Sequence, residues 1–312
     1  MDNFIISLNV VLPLFLSMAL GYGLKYTGLF DEKSLKVMNN SVFRIFLPTM
    51  LFYNIYTTDI GAAFNPRLLA FAVATVLVIF FTTFLIVPRF EKDNKKKGVL
   101  IQGIFRSNFI IFGIPLIESL YGSEGTGVAA ILIAVVVPMY NVMAVVSLSV
   151  FLGKTVDYKK IAKNIITNPL IISSALGLLC LLLKIHLPQA VEKTVKDLAG
   201  VATPLGLVVL GASFDFKKTA GDFKRIFAGV FGRLVLVPAI FLPIAAAFGF
   251  RNEEMMALLA MYCAPTAVSS FTMAQSMGSD GDLAAALLVY GAAFSVITMF
   301  LFTYGCISLG WL

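Results

Sequence analysis

Two stretches of this sequence place hydrogen-bonding side chains inside long apolar segments. The first, GIFRSNFIIFGIPLIESLYG, runs from Gly103 to Gly122. Three consecutive polar residues are followed there, within about two helical turns, by a glycine and a proline: Arg106, Ser107, Asn108, Gly113 and Pro115. Because proline has no backbone N–H and its ring opposes the carbonyl four residues earlier, we expect the helix to kink or open at Pro115.

The second stretch, YCAPTAVSSFTMAQSMG, runs from Tyr262 to Gly278 and contains Pro265. A cluster of hydroxyl side chains follows the proline: Thr266, Ser269, Ser270 and Thr272. Each hydroxyl, taken singly, is also compatible with a hydrogen bond to a carbonyl of its own helix. Two interrupted segments at corresponding positions of two halves of a chain are, however, typical of the binding site of a membrane carrier.

The chemistry that such segments favour is anion binding. An interrupted helix leaves N–H groups free at the start of its second half and carbonyls free at the end of its first half. The N-terminal ends carry roughly half a positive charge and can hold an anion without Lys or Arg. We expect Tyr140 and Asn141, in VVPMYNV, to form a wall of the site. The expected donors to a carboxylate are Ser107, Asn108, Thr266, Ser269 and Ser270.

Three arginines lie within apolar segments, namely Arg44, Arg106 and Arg233. A charge near the middle of a bilayer costs about 2.5–3.5 kcal/mol on insertion scales, so each arginine is expected to face protein or water. We predict that Arg106 attracts the anion. The alternative is a side chain that extends to the membrane boundary and holds the first half-helix there.

The composition indicates an integral membrane protein. Hydrophobic residues make up 59% of the 312 residues and charged residues only 13%, with a mean hydropathy of +0.92. Soluble domains are roughly 25% charged. The net charge of +7 is therefore interpreted as an orientation signal and not as nucleic-acid binding. The three cysteines are isolated and predict neither disulfides nor a metal site, no cofactor is expected, and no nucleophile–base pair suggests an enzyme.

Ten segments approach the roughly 20 apolar residues that a membrane-spanning helix needs. They are Phe4–Leu24, Leu35–Tyr56, Leu68–Val87, Val99–Tyr121, Val128–Leu152, Ile165–Ile185, Val191–Phe214, Phe223–Phe248, Met255–Met277 and Leu283–Trp311. Lys and Arg concentrate in the first, third, fifth and seventh connections. By the positive-inside rule these connections are cytoplasmic, so both termini are predicted to lie outside.

The two halves of the chain resemble each other at an offset of 156, half of the 312 residues. VLPLFLSMALGY (Val11–Tyr22) then aligns with TNPLIISSALGL (Thr167–Leu178), and YGSEGTGVAAIL (Tyr121–Leu132) aligns with MGSDGDLAAALL (Met277–Leu288). Each half, 1–152 and 165–312, holds five spans, so the copies must cross the membrane in opposite directions. The predicted fold is all-α, with ten transmembrane helices in two inverted five-helix repeats and interrupted helices fourth and ninth.

RSNFIIFGIPL followed by YG, NPLIISSALGLL and APTAVSSFTMAQSMGSD together resemble the auxin efflux carrier family, which is related to the bile acid/sodium symporters. The resemblance implies outside termini, crossing fourth and ninth helices, a pocket tyrosine near Tyr140, and usually a homodimer. It also implies that spans 1, 2, 6 and 7 form a scaffold beside a moving transport domain of spans 3–5 and 8–10. Plant members move the auxin carboxylate, and bacterial relatives resemble carriers of malate, malonate and similar acids.

The chain is similar to bacterial members because only the short connection Gly153–Asn164 separates its halves. The expected function is therefore secondary transport of a small organic carboxylate anion by alternating access, in a bacterial inner membrane. Coupling to Na⁺ or H⁺ is possible from the sequence, and Asp197 and Gln275 are the candidate residues for it. The alternatives are a sodium-coupled symporter of bile-acid type for larger amphipathic anions, and an anion channel that uses the same helix ends.

Overall fold

The computed structural model describes residues 2–58, 65–121, 126–152, 157–216, 219 and 221–312; the side chains of residues 2–11, 113, 114, 119 and 126 are not among those described. The described residues are helical and contain no strand. The connection 153–164 and the motif that follows Tyr121 lie partly outside the described residues.

The described residues of the first half form seven helices. They are α1 (Asp2–Tyr26), α2 (Glu32–Ser41), α3 (Leu47–Tyr56), α4 (Pro66–Phe90), α5 (Asn94–Phe105), α6 (Phe109–Tyr121) and α7 (Thr126–Leu152). A π-helical turn, Val42–Phe46, joins α2 directly to α3. The predicted spans 1 to 5 therefore fall on helices, and the fourth is divided into α5 and α6.

The second half of the chain contributes α8 (Tyr158–Ile166), α9 (Pro169–Leu182), α10 (Gln189–Ser213), α11 (Phe223–Phe231), α12 (Val237–Ala247), α13 (Asn252–Cys263), α14 (Val268–Met277) and α15 (Gly281–Ser308). A second π-helical turn, Gly232–Leu236, joins α11 to α12. The predicted ninth span is divided into α13 and α14.

Polar side chains begin many of these helices in the way that their sequences predict. An Asp or Asn side chain accepts a hydrogen bond from a backbone N–H of the first turn, which satisfies one of the free donors there. These capping residues are Asp31, Asn65, Asp93, Asp157, Asn168 and Asp280.

Six segments among the described residues are long and apolar enough to cross a membrane: Pro66–Phe90, Gly127–Leu152, Gln189–Ser213, Phe223–Ala247, Asn252–Met277 and Gly281–Ser308. The pair α8 and α9, bent by 52°, adds a seventh if it is counted as one span. The count of ten predicted from sequence is thus larger than the six or seven that these residues support by length and composition. The chain is nevertheless a multi-pass, all-helical membrane protein.

Glycines allow the helices of the first and second halves to pack closely. A Cβ atom on Gly21 of α1 would lie 2.0 Å from the carbonyl oxygen of Val208 in α10, closer than any side chain tolerates. Gly177 of α9 faces Phe52 of α3, where a Cβ atom would lie 2.9 Å from the carbonyl oxygen. Helices α1, α3, α9 and α10 therefore pack on one another backbone to backbone.

The interrupted helices lie at the centre of the molecule. Every residue from 255 to 274, covering most of α13 and α14, is buried. Helix α13 packs against α6 and α12, and α5 packs against α7, α4 and α15. The breaks are consequently enclosed by protein, which is the environment that non-helical backbone requires at membrane depth.

Candidate functional site

The fourth predicted span is broken at its three consecutive polar residues. Helix α5 ends at Phe105, Arg106 is extended with φ −85° and ψ 132°, and α6 begins at Phe109. The break predicted at Pro115 is wrong, because α6 continues through Pro115 to Tyr121. Proline restricts the residues before it, but here the chain leaves the helix earlier, where the polar residues 106–108 meet another part of the protein.

The ninth predicted span is broken at its proline. Helix α13 ends at Cys263, and α14 begins at Val268. Between them Ala264 (φ −64°, ψ 144°) and Ala267 (φ −72°, ψ 144°) are extended, and Pro265 and Thr266 lie in the non-helical segment. No side chain caps α14.

The two breaks are in direct contact. The backbone N–H of Asn108 donates a hydrogen bond of 2.8 Å to the carbonyl oxygen of Pro265. This bond satisfies one group on each non-helical segment, since neither group has a partner in its own helix. The crossing therefore brings together the non-helical segments that precede α6 and α14, and both helices begin with N–H groups that have no carbonyl one turn earlier.

Arg106 joins three elements at this crossing. Its Nη2 donates to Asn141 Oδ1 of α7 at 2.6 Å and to Ser269 Oγ of α14 at 2.7 Å. The side chain is only 3% exposed, and its Nη1 lies 3.8 Å from the sulfur of Met273. Arg106 therefore points into the crossing and not toward the membrane boundary, which excludes the alternative of an extended, surface-seeking side chain. All of these partners are neutral.

Arg233 is a second buried cation at the crossing, and the sequence did not predict its role. It lies on the π-helical turn between α11 and α12 and is 2% exposed. Its Nε donates to Ala264 O at 2.8 Å and its Nη2 to Met261 O at 2.5 Å. Its Nη1 lies 3.4 Å from Ile104 O and 3.5 Å from Phe105 O. The only signal in the sequence was an arginine within a span.

The other predicted donors lie near the same place. The hydroxyls of Thr266 and Ser270 are 3.3 Å apart, and Tyr140 is buried with its ring against Phe105 at a centroid distance of 5.9 Å. Buried Ser107 Oγ has no hydrogen-bond partner in the described part of the chain, and neither has Asn141 Nδ2. Gly113 and Pro115 lie further along α6.

Two amide side chains support α14 from neighbouring helices, and neither was predicted from the sequence. Gln102 of α5 donates through Nε2 to Ser270 O at 3.0 Å. Asn39 of α2 donates through Nδ2 to Ser276 Oγ at 3.2 Å and to Thr272 O at 3.4 Å. Their own oxygens, Oε1 and Oδ1, are buried without a partner among the described residues.

The two candidate coupling residues lie away from the breaks. Asp197 is 62% exposed on α10 and pairs with Lys193 at 2.8 Å, one turn earlier on the same helix. Gln275 is exposed near the end of α14. A coupling role for these residues stays a prediction.

A cavity of about 740 Å³ opens near the end of α14, where Ser276 and Met277 line it. Ser276 lies seven positions after Ser269, which corresponds to roughly 10 Å along a helix. The remaining lining residues come from the first π-helical turn and from the ends of α7, α8 and α9, and include Arg44, Lys160 and Asn168. Arg44 is exposed and has no hydrogen bond or ion pair with any residue that the structure describes.

Comparisons with known proteins agree with this architecture. A family model described as "Membrane transport protein" matches the chain twice, over residues 6–164 and over residues 154–303. An uncharacterized transporter of Methanocaldococcus jannaschii is 24% identical over 306 residues, which cover 94% of this chain and 97% of that protein. An uncharacterized transporter of Methanothermobacter thermautotrophicus is 22% identical over 298 residues, 94% of this chain and 96% of that protein.

Proposed function

The chain belongs to the membrane transport protein family, the auxin efflux carrier family that its motifs resemble, and from this premise we propose that it is a secondary transporter of a small organic carboxylate anion. The anion is held where the two broken helices cross and is exposed to each side of the membrane in turn. The observation that carries this proposal is a buried guanidinium, Arg106, whose hydrogen bonds to the described residues all go to neutral groups and which lies beside the N-terminal end of α14 and just before that of α6.

The electrostatics of the crossing support an anionic substrate. Each helix N-terminal end carries roughly half a positive charge, so two ends and Arg106 together provide about two positive charges. A buried cation without a charged partner is costly, and a carboxylate that accepts hydrogen bonds from it offsets that cost. The donors proposed to contact the carboxylate are Ser107, Asn108, Thr266, Ser269 and Ser270, together with Arg106 itself.

Two observations favour ten spans in an inverted repeat. The family model matches each half of the chain separately. In addition, the two close glycine contacts are related by the offset of 156, half of the 312 residues, because Gly177 corresponds to Gly21 and Val208 to Phe52. Gly21 therefore contacts the residue that corresponds to Phe52, and the residue that corresponds to Gly21 contacts Phe52 itself. A two-fold relation between the repeats requires such a reciprocal pair of contacts.

We further propose that the Arg44-lined cavity is the entry from the cytoplasm. It lies beside the connection between α7 and α8, which the positive-inside rule assigns to the cytoplasmic face. The unpaired guanidinium of Arg44 and the ammonium of Lys160 favour the approach of an anion. The cavity ends about 10 Å from the crossing along α14, so a modest movement is enough to connect the two.

The proposal is tested with the purified protein in two steps. The first is a thermal-shift screen against mono- and dicarboxylates, in which a ligand raises the melting temperature in proportion to the logarithm of its concentration over its Kd. The second is counterflow in proteoliposomes: preloading with the unlabelled acid is expected to accelerate uptake of the labelled acid, and uptake is expected to saturate. Saturable counterflow excludes a channel. Stabilisation only by large amphipathic steroid-like anions, and only with Na⁺, contradicts the proposal and favours a bile-acid-type symporter.

A further inference from the structure

Arg233 contacts the ends of two helices that come from opposite halves of the chain. Its guanidinium donates to carbonyl oxygens at the C-terminal end of α13 and lies within 3.5 Å of those at the C-terminal end of α5. These carbonyls belong to the last turns of the two half-helices and have no partner within them. One buried side chain thus serves both broken helices at once.

The charges at these ends match the charge of one guanidinium. Each helix C-terminal end carries roughly half a negative charge, so the two ends together carry about one. In carriers with broken helices such carbonyl ends commonly coordinate a Na⁺ ion or a proton. Here the arginine fills that place, and no carboxylate among the described residues is hydrogen-bonded to it.

The helix that carries Arg233 is packed closely enough to hold it there. A Cβ atom on Gly232 would lie 3.3 Å from the side chain of Ile104, and one on Gly229 would lie 2.4 Å from Leu287. These two glycines allow α11 and its π-helical turn to approach α5 and α15. The closely packed backbone of its own span therefore holds the guanidinium in place, whether or not an ion is bound.

We infer that Arg233 is a positioning residue that acts as a tethered cation. It ties the C-terminal ends of α5 and α13 together, neutralises their partial charges, and so leaves the N-terminal ends of α6 and α14 to face the anion. The effect of Arg233 on transport rests on the proposed function. The position of Arg233 at the carbonyl ends of α5 and α13 does not, because it is a property of the protein without substrate.

The decisive experiment removes the tether and offers a free cation in its place. Arg233→Ala is purified beside a matched control, Arg89→Ala, whose arginine is exposed and bonds only a carbonyl of its own helix. Melting temperatures are measured in 50 mM methylguanidinium chloride, sodium chloride and choline chloride. We expect methylguanidinium to raise the melting temperature of Arg233→Ala by about 2–4 °C relative to choline, and to leave the control and the unaltered chain unchanged.

Counterflow of the carboxylate found in the screen gives the second measurement. Arg233→Ala is expected to lose at least tenfold in rate and to regain several-fold with methylguanidinium, and Arg233→Lys is expected to be intermediate because an ammonium cannot span both ends. A merely structural arginine would not be replaced by a small cation in solution. Failure of methylguanidinium to stabilise Arg233→Ala selectively, or an unchanged rate for that variant, overturns the inference.

Two further results keep the inference separate from the proposed function. If Arg233→Ala does not fold, the melting temperature of the unaltered chain is compared in Na⁺ and in choline. A shift by Na⁺ shows a cation site that Arg233 does not fill and overturns the inference. If the unaltered chain shows no carboxylate counterflow, the proposed function fails, and the melting temperatures still decide the role of Arg233.

Discussion

Arg106 shows how a single side chain can define a site in the membrane interior. Its guanidinium is almost fully buried, and its Nη2 donates to a side-chain amide and a hydroxyl, which accept these hydrogen bonds without neutralising its charge. Stabilising a guanidinium in a low-dielectric environment requires an opposite charge or water. The proposed anionic substrate would supply that charge only while it is bound, so binding and charge neutralisation would occur together.

We predict that Arg106→Gln weakens substrate binding. A hydrogen bond to a charged group contributes about 1.5–3 kcal/mol, so the apparent KM for the carboxylate should rise roughly 10- to 100-fold in the counterflow assay. Arg106→Lys should retain part of the affinity, and Arg89→Gln serves as the control for loss of an arginine elsewhere. An unchanged KM in Arg106→Gln would remove Arg106 from the site.

Most of the residues that meet at the crossing were named from the sequence as site candidates, but their contacts were not predicted, and their role in binding stays a prediction. Ser107, Asn108 and Pro265 were recognised because polar residues and proline are out of place in an apolar segment. Arg233 had the same unusual character, yet its partners are carbonyl oxygens of other spans, which have no signature in the sequence. Gln102 was overlooked because a lone amide in a helix predicts no particular contact.

At the scale of helices, tertiary contacts decided where the fourth span breaks. Local rules placed the break at Pro115, but α6 tolerates the proline and the chain is interrupted at residues 106–108. The hydrogen bond from Asn108 N to Pro265 O exists only because a second interrupted segment lies alongside. Proline therefore predicted correctly that the fourth span is interrupted, but it did not predict the position of the interruption.

The close packing of α1 and α10 leads to a matched pair of glycine variants. Gly21→Ala places a methyl group against the carbonyl of Val208, and such overpacking costs about 1–3 kcal/mol. Gly23→Ala, in the same helix with no atom within 4 Å of its Cβ position, should be neutral or stabilising by up to about 1 kcal/mol. Melting temperatures of the two variants in detergent should differ accordingly. Equal effects would mean that the two helices are not in close contact.

The ion pair between Glu91, which lies outside the membrane-spanning segments, and Arg225, near the start of one of them, makes the stability depend on pH. Glu91, which follows α4, accepts from the Arg225 side chain and from the N–H of Asp93. Burial alone would raise the pKa of the Glu91 carboxyl, but these donors outweigh it and hold the pKa below its ordinary value. The pair therefore stabilises the protein fully above the unfolded pKa of about 4.3, and this contribution is lost as pH falls through the lower folded pKa.

We predict that Glu91→Gln removes this part of the pH dependence. At neutral pH the variant should be less stable by about 1–3 kcal/mol, because Arg225 loses a charged acceptor. The melting temperatures of the variant and the unaltered chain should converge as the pH is lowered toward and below 4. A constant difference between the two at all pH values would show that the carboxylate charge is not responsible.

For the whole molecule, the proposed five spans in each half would place both termini on one face of the membrane. The test uses single cysteines introduced after replacement of Cys180, Cys263 and Cys306. We predict that His186→Cys, between α9 and α10, reacts with a membrane-impermeant maleimide in intact cells. Tyr158→Cys, whose parent residue is 80% exposed at the start of α8, should react only after permeabilisation. The reverse pattern would invert the orientation, and labelling of both in intact cells would contradict a membrane crossing between residues 158 and 186, which hold the predicted sixth span.

The membrane class, the helical fold and the family could be predicted from composition and motifs, because these depend on averages over many residues. The number of spans could be predicted only as ten apolar segments, of which six or seven meet the length and composition of a spanning helix in the described residues. One predicted span that is not among these six or seven is the fourth, which is divided at residues 106–108. Segments such as α5–α6, with lysines at one end and a polar break in the middle, are no longer simple membrane helices.

The complete enclosure of residues 255–274 has a consequence for the lipid around the protein. A segment with no surface toward the hydrocarbon cannot slide alone, because close-packed neighbours would leave a void behind it. Displacement of the crossing must carry its enclosing helices along as one body, and the outer faces of those helices must then shift against the acyl chains. If transport displaces the crossing as proposed, we expect the turnover rate to depend on the thickness of the bilayer in which the protein resides.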